Sequence, residues 1–221
     1  MEAGKKLSAA KDYGRAILEF KSAAQAVPAD PEPVYQLAIV YMAIRDWRET
    51  ILHLKKAIEL DPKHLPSQLK LAELMATSRR PEILQEAEKK AQDALAIAPD
   101  NVQALTALAL AEWGQNQRDN AEQHMERAFE KAPQNLRALI SLAKMKLARG
   151  EKAEAGEALR KAAAVDPPVA EAIAALGEFL VLTGKTAEGE RSFRRALEVN
   201  PKYWPALLDL ARTQYASGRL K

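Results

Sequence analysis

Apolar residues recur three and four positions apart along the whole chain, in runs of roughly 13 residues separated by short polar breaks. That spacing places them on one stripe of an α-helix. The runs come in pairs, and each pair is closed by a proline: Pro28, Pro62, Pro99, Pro133, Pro167 and Pro201. The steps between these prolines are 34, 37, 34, 34 and 34 residues. Five residues before each stands an alanine: Ala23, Ala57, Ala94, Ala128, Ala162 and Ala196. A period of this length predicts stacked pairs of helices, because neither helix of a pair could bury its apolar face alone.

Other positions repeat in step. With the closing proline numbered 32, position 8 is always small: Gly4, Ala38, Ala72, Ala109, Ala143, Gly177 and Ala211. Position 20 reads Ala16, Thr50, Ala87, Ala121, Ala155 and Gly189. Position 7 is leucine in six units, from Leu37 to Leu210, and position 24 holds Phe20, Leu54, Ala91, Met125, Leu159 and Phe193. Small residues at 8, 20 and 27 allow helix axes to approach to about 8–10 Å. The leucine and the residue at 24 fill the space beside them. The proline cannot continue a helix interior, so it stops the second helix. Gly150, Gly184 and Gly218, all at position 15, suit the left-handed residue that ends a first helix.

This combination resembles the tetratricopeptide repeat, a 34-residue helix–turn–helix unit, over essentially the whole chain. The resemblance implies an all-α fold, a right-handed superhelical α-solenoid of stacked helix–turn–helix units. It further implies one domain of about six and a half units: 1–30, 31–64, 65–101, 102–135, 136–169, 170–203 and 204–221, the last a first helix only. Two departures stand out. The step of 37 puts about three extra residues near Ser78–Ile83, where Pro81 starts the second helix or lengthens the turn before it. The final helix, with Leu207, Leu208 and Leu210, is apolar for a terminal cap. It is expected to continue into further chain or to meet another molecule.

Composition narrows the function. Nearly half the residues are apolar and 5% are aromatic, with alanine abundant, which favours closely packed helices. The net charge of +3 is too balanced for a typical nucleic-acid binder. No apolar run is long enough to span a bilayer, and Met1 leads into a charged helical pattern where a signal peptide would be apolar. The compartment stays open: the cytosol, or the periplasm if an export signal has been removed. Without cysteine, thiolate chemistry, disulfides and cysteine metal sites are excluded.

Chemistry-bearing motifs are weak. Gly184-Lys185-Thr186 lacks the earlier glycine of a phosphate loop, since Phe179 holds that place. His53 and His124, both at position 23, are expected on solvated outer surfaces too far apart to share a metal. Lys55–Lys56, Arg160–Lys161 and Arg194–Arg195 form a basic stripe on second helices, but Glu157 before Lys161 and Glu190 before Arg194 point to helix-stabilising pairs. An RNA-reading helical repeat would need polar residues at position 5. Here that position holds Tyr35, Leu69, Thr106, Ile140, Ala174 and Leu208. No cofactor, no metal and no catalysis are expected.

In the resembled family the concave wall is lined by first helices at positions 2, 5, 9 and 12. Carried over, these give a partner-binding groove of Tyr35, Ile39, Met42, Leu69, Glu73, Thr106, Leu110, Trp113, Arg137, Ile140, Lys144, Glu178 and Arg212. Gln103, Leu147, Glu171, Val181, Leu208 and Tyr215 lie on the same stripes. The lysine–asparagine clamp that some family members use for chaperone tails is absent, because Tyr35, Ile39 and Leu69 occupy those places. The wall instead suits an amphipathic helix or an extended apolar segment. Tyr13 and Trp47 are expected to be packing wedges, and Trp204 to cover the end of the preceding unit. The expected role is a protein–protein or protein–peptide scaffold. Two alternatives are a regulatory or substrate-docking region of a larger enzyme or surface-assembly system, and homotypic assembly through the array ends. Tyr13–Pro28 is similar to repeats of bacterial exported lipoproteins linked to surface polysaccharide or pilus assembly, pointing to a bacterial source.

Overall fold

The computed structural model describes residues 1–219. Among them are thirteen helices and no strand. They are α1 (Glu2–Ala9), α2 (Tyr13–Ala26), α3 (Pro31–Ala43), α4 (Trp47–Leu60), α5 (Leu65–Met75), α6 (Pro81–Ile97), α7 (Val102–Gly114), α8 (Arg118–Lys131), α9 (Leu136–Ala148), α10 (Lys152–Ala163), α11 (Ala170–Leu182), α12 (Thr186–Val199) and α13 (Trp204–Ala216). The chain is an all-α solenoid of helix–turn–helix pairs. Of the expected last segment, residues 220 and 221 lie outside the described part. Two compact units are distinguished, Met1–His124 and Met125–Lys221.

Short polar side chains start many of the helices. Asp12, Asp46, Asn101 and Asn135 each accept a hydrogen bond from the backbone N–H three residues on, at 3.0 to 3.2 Å. Such caps satisfy donors that the helix itself leaves unpaired. Position 15 ends first helices with a left-handed residue: Gly150, Gly184 and Gly218 have φ of 87°, 85° and 70°. Lys11, Arg45 and Asn116, at the same position, adopt φ of 62°, 63° and 65° despite their side chains. The closing prolines stand two residues past the ends of α2, α4, α6, α8 and α12, whereas Pro167 stands four past α10.

The extra residues of the third unit lengthen α6, which has 17 residues against 14 in α4, with Pro81 in its first turn. The turn before it, residues 76–80, is longer only because α5 stops early, at 11 residues.

Packing follows the small-residue register. In the first unit, Ala38, Leu54, Leu71, Ala72, Ala87, Ala91 and Leu108 share one buried cluster, and Ala16, Phe20, Leu37 and Val40 share another. In the second, Ala143, Ala155, Leu159, Ala162, Ala172 and Phe179 pack together, beside Ala163, Ile173, Phe193, Ala196 and Ala206. Glycine appears at position 8 only where position 24 is phenylalanine. A Cβ on Gly4 would lie 2.6 Å from the Phe20 ring, and one on Gly177 would lie 2.7 Å from Phe193. Burying each ring contributes about 1.5–3 kcal/mol, so the missing methyl makes room for the larger gain. Where position 24 is leucine, alanine fits: Ala38 with Leu54, and Ala143 with Leu159.

Candidate functional site

First helices carry the side chains expected to meet a partner, and each unit presents its own set. In the first unit Tyr35 of α3 is half-buried and meets His64 edge-on, with centroids 5.3 Å apart. Burial pushes its phenol pKa up, and Glu32 and Glu73 add to the rise. Glu32 is 3.5 Å from Lys5 Nζ and 3.5 Å from His64 Nε2, and accepts from Gln36 at 2.9 Å. Lys70 donates to Glu73 at 2.8 Å. Ile39, Met42, Leu69 and Leu110 are half-buried, so each keeps apolar area in contact with water. Trp113 is also half-buried, with the Arg118 guanidinium 3.8 Å from its ring centroid, a cation–π contact that occupies one face of the indole.

Thr106 differs from its neighbours. It is 4% exposed, and its hydroxyl donates back to the Val102 carbonyl at 2.7 Å. Ile140 in the second unit is 5% exposed and belongs to the core with Leu139, Ala143 and Ala172. Neither offers a surface, because helices packed against α7 and α9 cover position 5 there.

The second unit brings three of the expected residues, Glu178, Val181 and Arg212, into one hollow. A concavity of about 430 Å³ is lined by Glu178, Val181, Leu182, Phe193, Asp209, Arg212 and Thr213. Lys144 stands 4.0 Å from Glu178, and Arg212 stands 3.7 Å from Asp209. Burial raises the Glu178 pKa, Lys144 draws it down, and Asp209 pushes it up. Arg137 is exposed and does not line the hollow. Asp209 and Thr213 were not anticipated, since they lie at positions 6 and 10. The signal available was Asp209 standing one turn before Arg212 on an otherwise apolar helix.

Outside these faces several expectations change. His53 is not solvated: its ring is tilted against Tyr41 at 5.1 Å, and its Nδ1–H donates to the Glu49 carbonyl at 2.9 Å. His124 contacts Glu112 through Nδ1 at 2.8 Å, and Glu112 is 3% exposed. Burial raises the Glu112 pKa, the His124 contact lowers it, and Glu88 raises it further. Both histidines at position 23 therefore turn toward position 11 of the preceding helix. Trp47 is 48% exposed and Trp204 66% exposed, so Trp47 is no wedge and Trp204 stands in solvent. Tyr13 does pack, against the Phe20 cluster.

The basic stripe is paired with carboxylates, Lys55 to Glu86 and Lys161 to Glu157 both at 2.7 Å, and Arg194 to Glu190 at 3.1 Å. Arg219 also bonds Glu190. Gly184 and Lys185 lie in the α11–α12 turn, where Thr183 donates to the Phe179 carbonyl at 2.8 Å. Among the described residues no group of three or more acidic or histidine side chains could hold a metal. Nor is any helix there long and apolar enough to cross a membrane.

A family model for the tetratricopeptide repeat matches residues 106–170 and 180–221. No curated protein sequence matches the chain. Among solved structures, PilW, a type IV pilus biogenesis factor, superposes with a TM-score of 0.78 at 17% identity, covering 95% of this chain and 96% of that one. A tetratricopeptide repeat protein from Parabacteroides merdae gives 0.79 at 15% identity, covering 96% and 81%. YrrB, described as a TPR protein with an unusual peptide-binding site, gives 0.55 at 18% identity, covering 86% and 96%. At these identities the likeness concerns the fold.

Proposed function

The chain is a tetratricopeptide-repeat protein, and from that premise we propose that it holds a polypeptide segment on the exposed faces of its first helices and carries out no catalysis. Its general role is that of a scaffold for protein–protein interaction. The observation that carries the finer reading is the hollow of about 430 Å³ beside α11 and α13, which Glu178 and Arg212 line together with Val181 and Leu182. Half-buried Tyr35, Ile39 and Leu69 supply a comparable face in the first unit, apolar with charges at its edges. Such faces suit an amphipathic helix or an extended apolar segment. The helices that bear them are already ordered, so the guest bears most of the ordering cost. YrrB is a protein of this fold said to bind a peptide, which supports the same use here.

The test is affinity isolation from native extract, followed by rebinding of the recovered protein to purified variants. Ile39→Glu and Glu178→Gln are expected to lose most of the bound partner, while Lys89→Ala on an outer helix retains it. Equal recovery on all three would refute the reading.

A second reading has its own observation. Leu182, Trp204, Leu207 and Tyr215 are 70%, 66%, 49% and 70% exposed in the second unit, and apolar exposure of this kind favours association between copies. Sedimentation velocity over a hundredfold concentration range decides it: self-assembly predicts a rising sedimentation coefficient, and a constant monomer value dismisses it.

A further inference from the structure

The hollow beside α11 and α13 combines two chemistries. Leu182, 70% exposed, and half-buried Val181 line it with apolar surface, above the buried Phe193 ring. Glu178 and Asp209 add carboxylates to the same lining. The acidic side chains are the more sheltered members of their ion pairs. Glu178 and Asp209 are 40% and 24% exposed, whereas Lys144 and Arg212, which face them, are 61% and 70% exposed. Both pairs are long, at 4.0 and 3.7 Å. Exposed pairs of this length are weak, so the cations hold the two carboxylates only loosely.

Carboxylates converge on this face. Glu171, Glu178 and Asp209 all act on the Tyr203 phenol, whose pKa is raised first by burial and then by these three carboxylates. Asp209 also repels Glu178. Lys144 pairs with Glu178 and Arg212 with Asp209, each from the more exposed side. A guest side chain entering the hollow meets apolar lining and sheltered, loosely paired carboxylates together. Lysine and arginine carry that combination, an aliphatic stem with a cationic head. The arginine fork can also reach two carboxylates at once.

We propose that this hollow is a socket for one lysine or arginine side chain of the docked polypeptide, its stem against Val181 and Leu182 and its charge between Glu178 and Asp209. The assignment rests on the docking reading above and adds the guest's chemistry to it. An acidic guest is disfavoured because it would have to lie beside the sheltered carboxylates to reach Arg212.

The test is selection of random displayed peptides on the immobilised full chain, followed by affinity measurement of the recovered peptides on wild type, on Glu178→Gln/Asp209→Asn and on Ile39→Glu. The expected result is enrichment of lysine or arginine at one position. The double variant should then weaken binding about tenfold or more, the scale of a lost hydrogen bond to a charged group. Replacing that residue with norleucine in the peptide should weaken binding to wild type equally and make it indifferent to the double variant. Thermal melting verifies that the variant is folded; if it melts early, Glu178→Gln alone carries the same comparison. Peptides that bind and respond to Ile39→Glu but show no cationic preference, or an acidic one, overturn the socket and leave the docking reading intact. Recovery of no peptide, or only of peptides indifferent to every variant, overturns both.

Discussion

Replacing Gly177 with alanine adds one methyl where the structure has no room for it. The new Cβ would stand 2.7 Å from one Phe193 ring carbon, 2.8 Å from another and 3.1 Å from the Gly189 carbonyl. The ring is 1% exposed and held by the α11–α12 cluster, so it cannot swing into solvent. Overpacking of this kind costs about 1–3 kcal/mol. Alanine regains roughly 0.5–1 kcal/mol of helix propensity over glycine, leaving a net loss of up to about 2.5 kcal/mol. Gly14 in α2 has nothing within 4 Å of its would-be Cβ, so Gly14→Ala should keep only the propensity gain. The decisive construction is Gly177→Ala with Phe193→Leu, which copies the alanine–leucine pairing of Ala143 and Leu159. The double variant should be more stable than the sum of the single losses by about 1 kcal/mol, within the range of coupling between touching residues. Urea unfolding followed by circular dichroism reads these values, with the transition slopes compared because repeat arrays can depart from two-state behaviour. Strict additivity, or a Gly177→Ala variant as stable as Gly14→Ala, would refute the size-matching argument.

Gly184→Ala should cost about 1 kcal/mol in the same assay, since its φ of 85° is unfavourable for a residue with a Cβ. Ile140→Ala should lose about 2–5 kcal/mol as a buried aliphatic truncation while leaving partner affinity per folded molecule unchanged. Tyr35→Ala should do the reverse in a binding titration, and parallel behaviour of the two would contradict the assignment of surfaces. For Glu178 the folded-state pKa is raised, chiefly by burial, so its protonated form is the one the fold favours. Stability from this group is present below the ordinary carboxylate pKa and is lost as pH rises through the folded value. Glu178→Gln should therefore melt higher than wild type at pH 7 and equal to it near pH 3, at the expense of guest binding. A wild-type advantage at pH 7 would count against that sign.

The repeat period was readable in the sequence because it follows from helix geometry. Residues three and four apart share a face whatever surrounds them, so the helix pairs, the small positions 8, 20 and 27 and the left-handed position 15 follow from local spacing. Whether a position on the right face is open or covered depends on helices distant in sequence. That is why Thr106 and Ile140 are buried while Leu110 and Lys144, on the same stripes, keep contact with water. Position 23 likewise looked external until Tyr41 and Glu112, from the facing helices, closed over His53 and His124. Trp47, by contrast, stays 48% exposed. The hollow needed α11, α12 and α13 together: Phe193 and Asp209 are 16 residues apart and share no helix. Periodicity along the chain therefore selected the faces, and packing between helices decided which side chains on them a partner could reach.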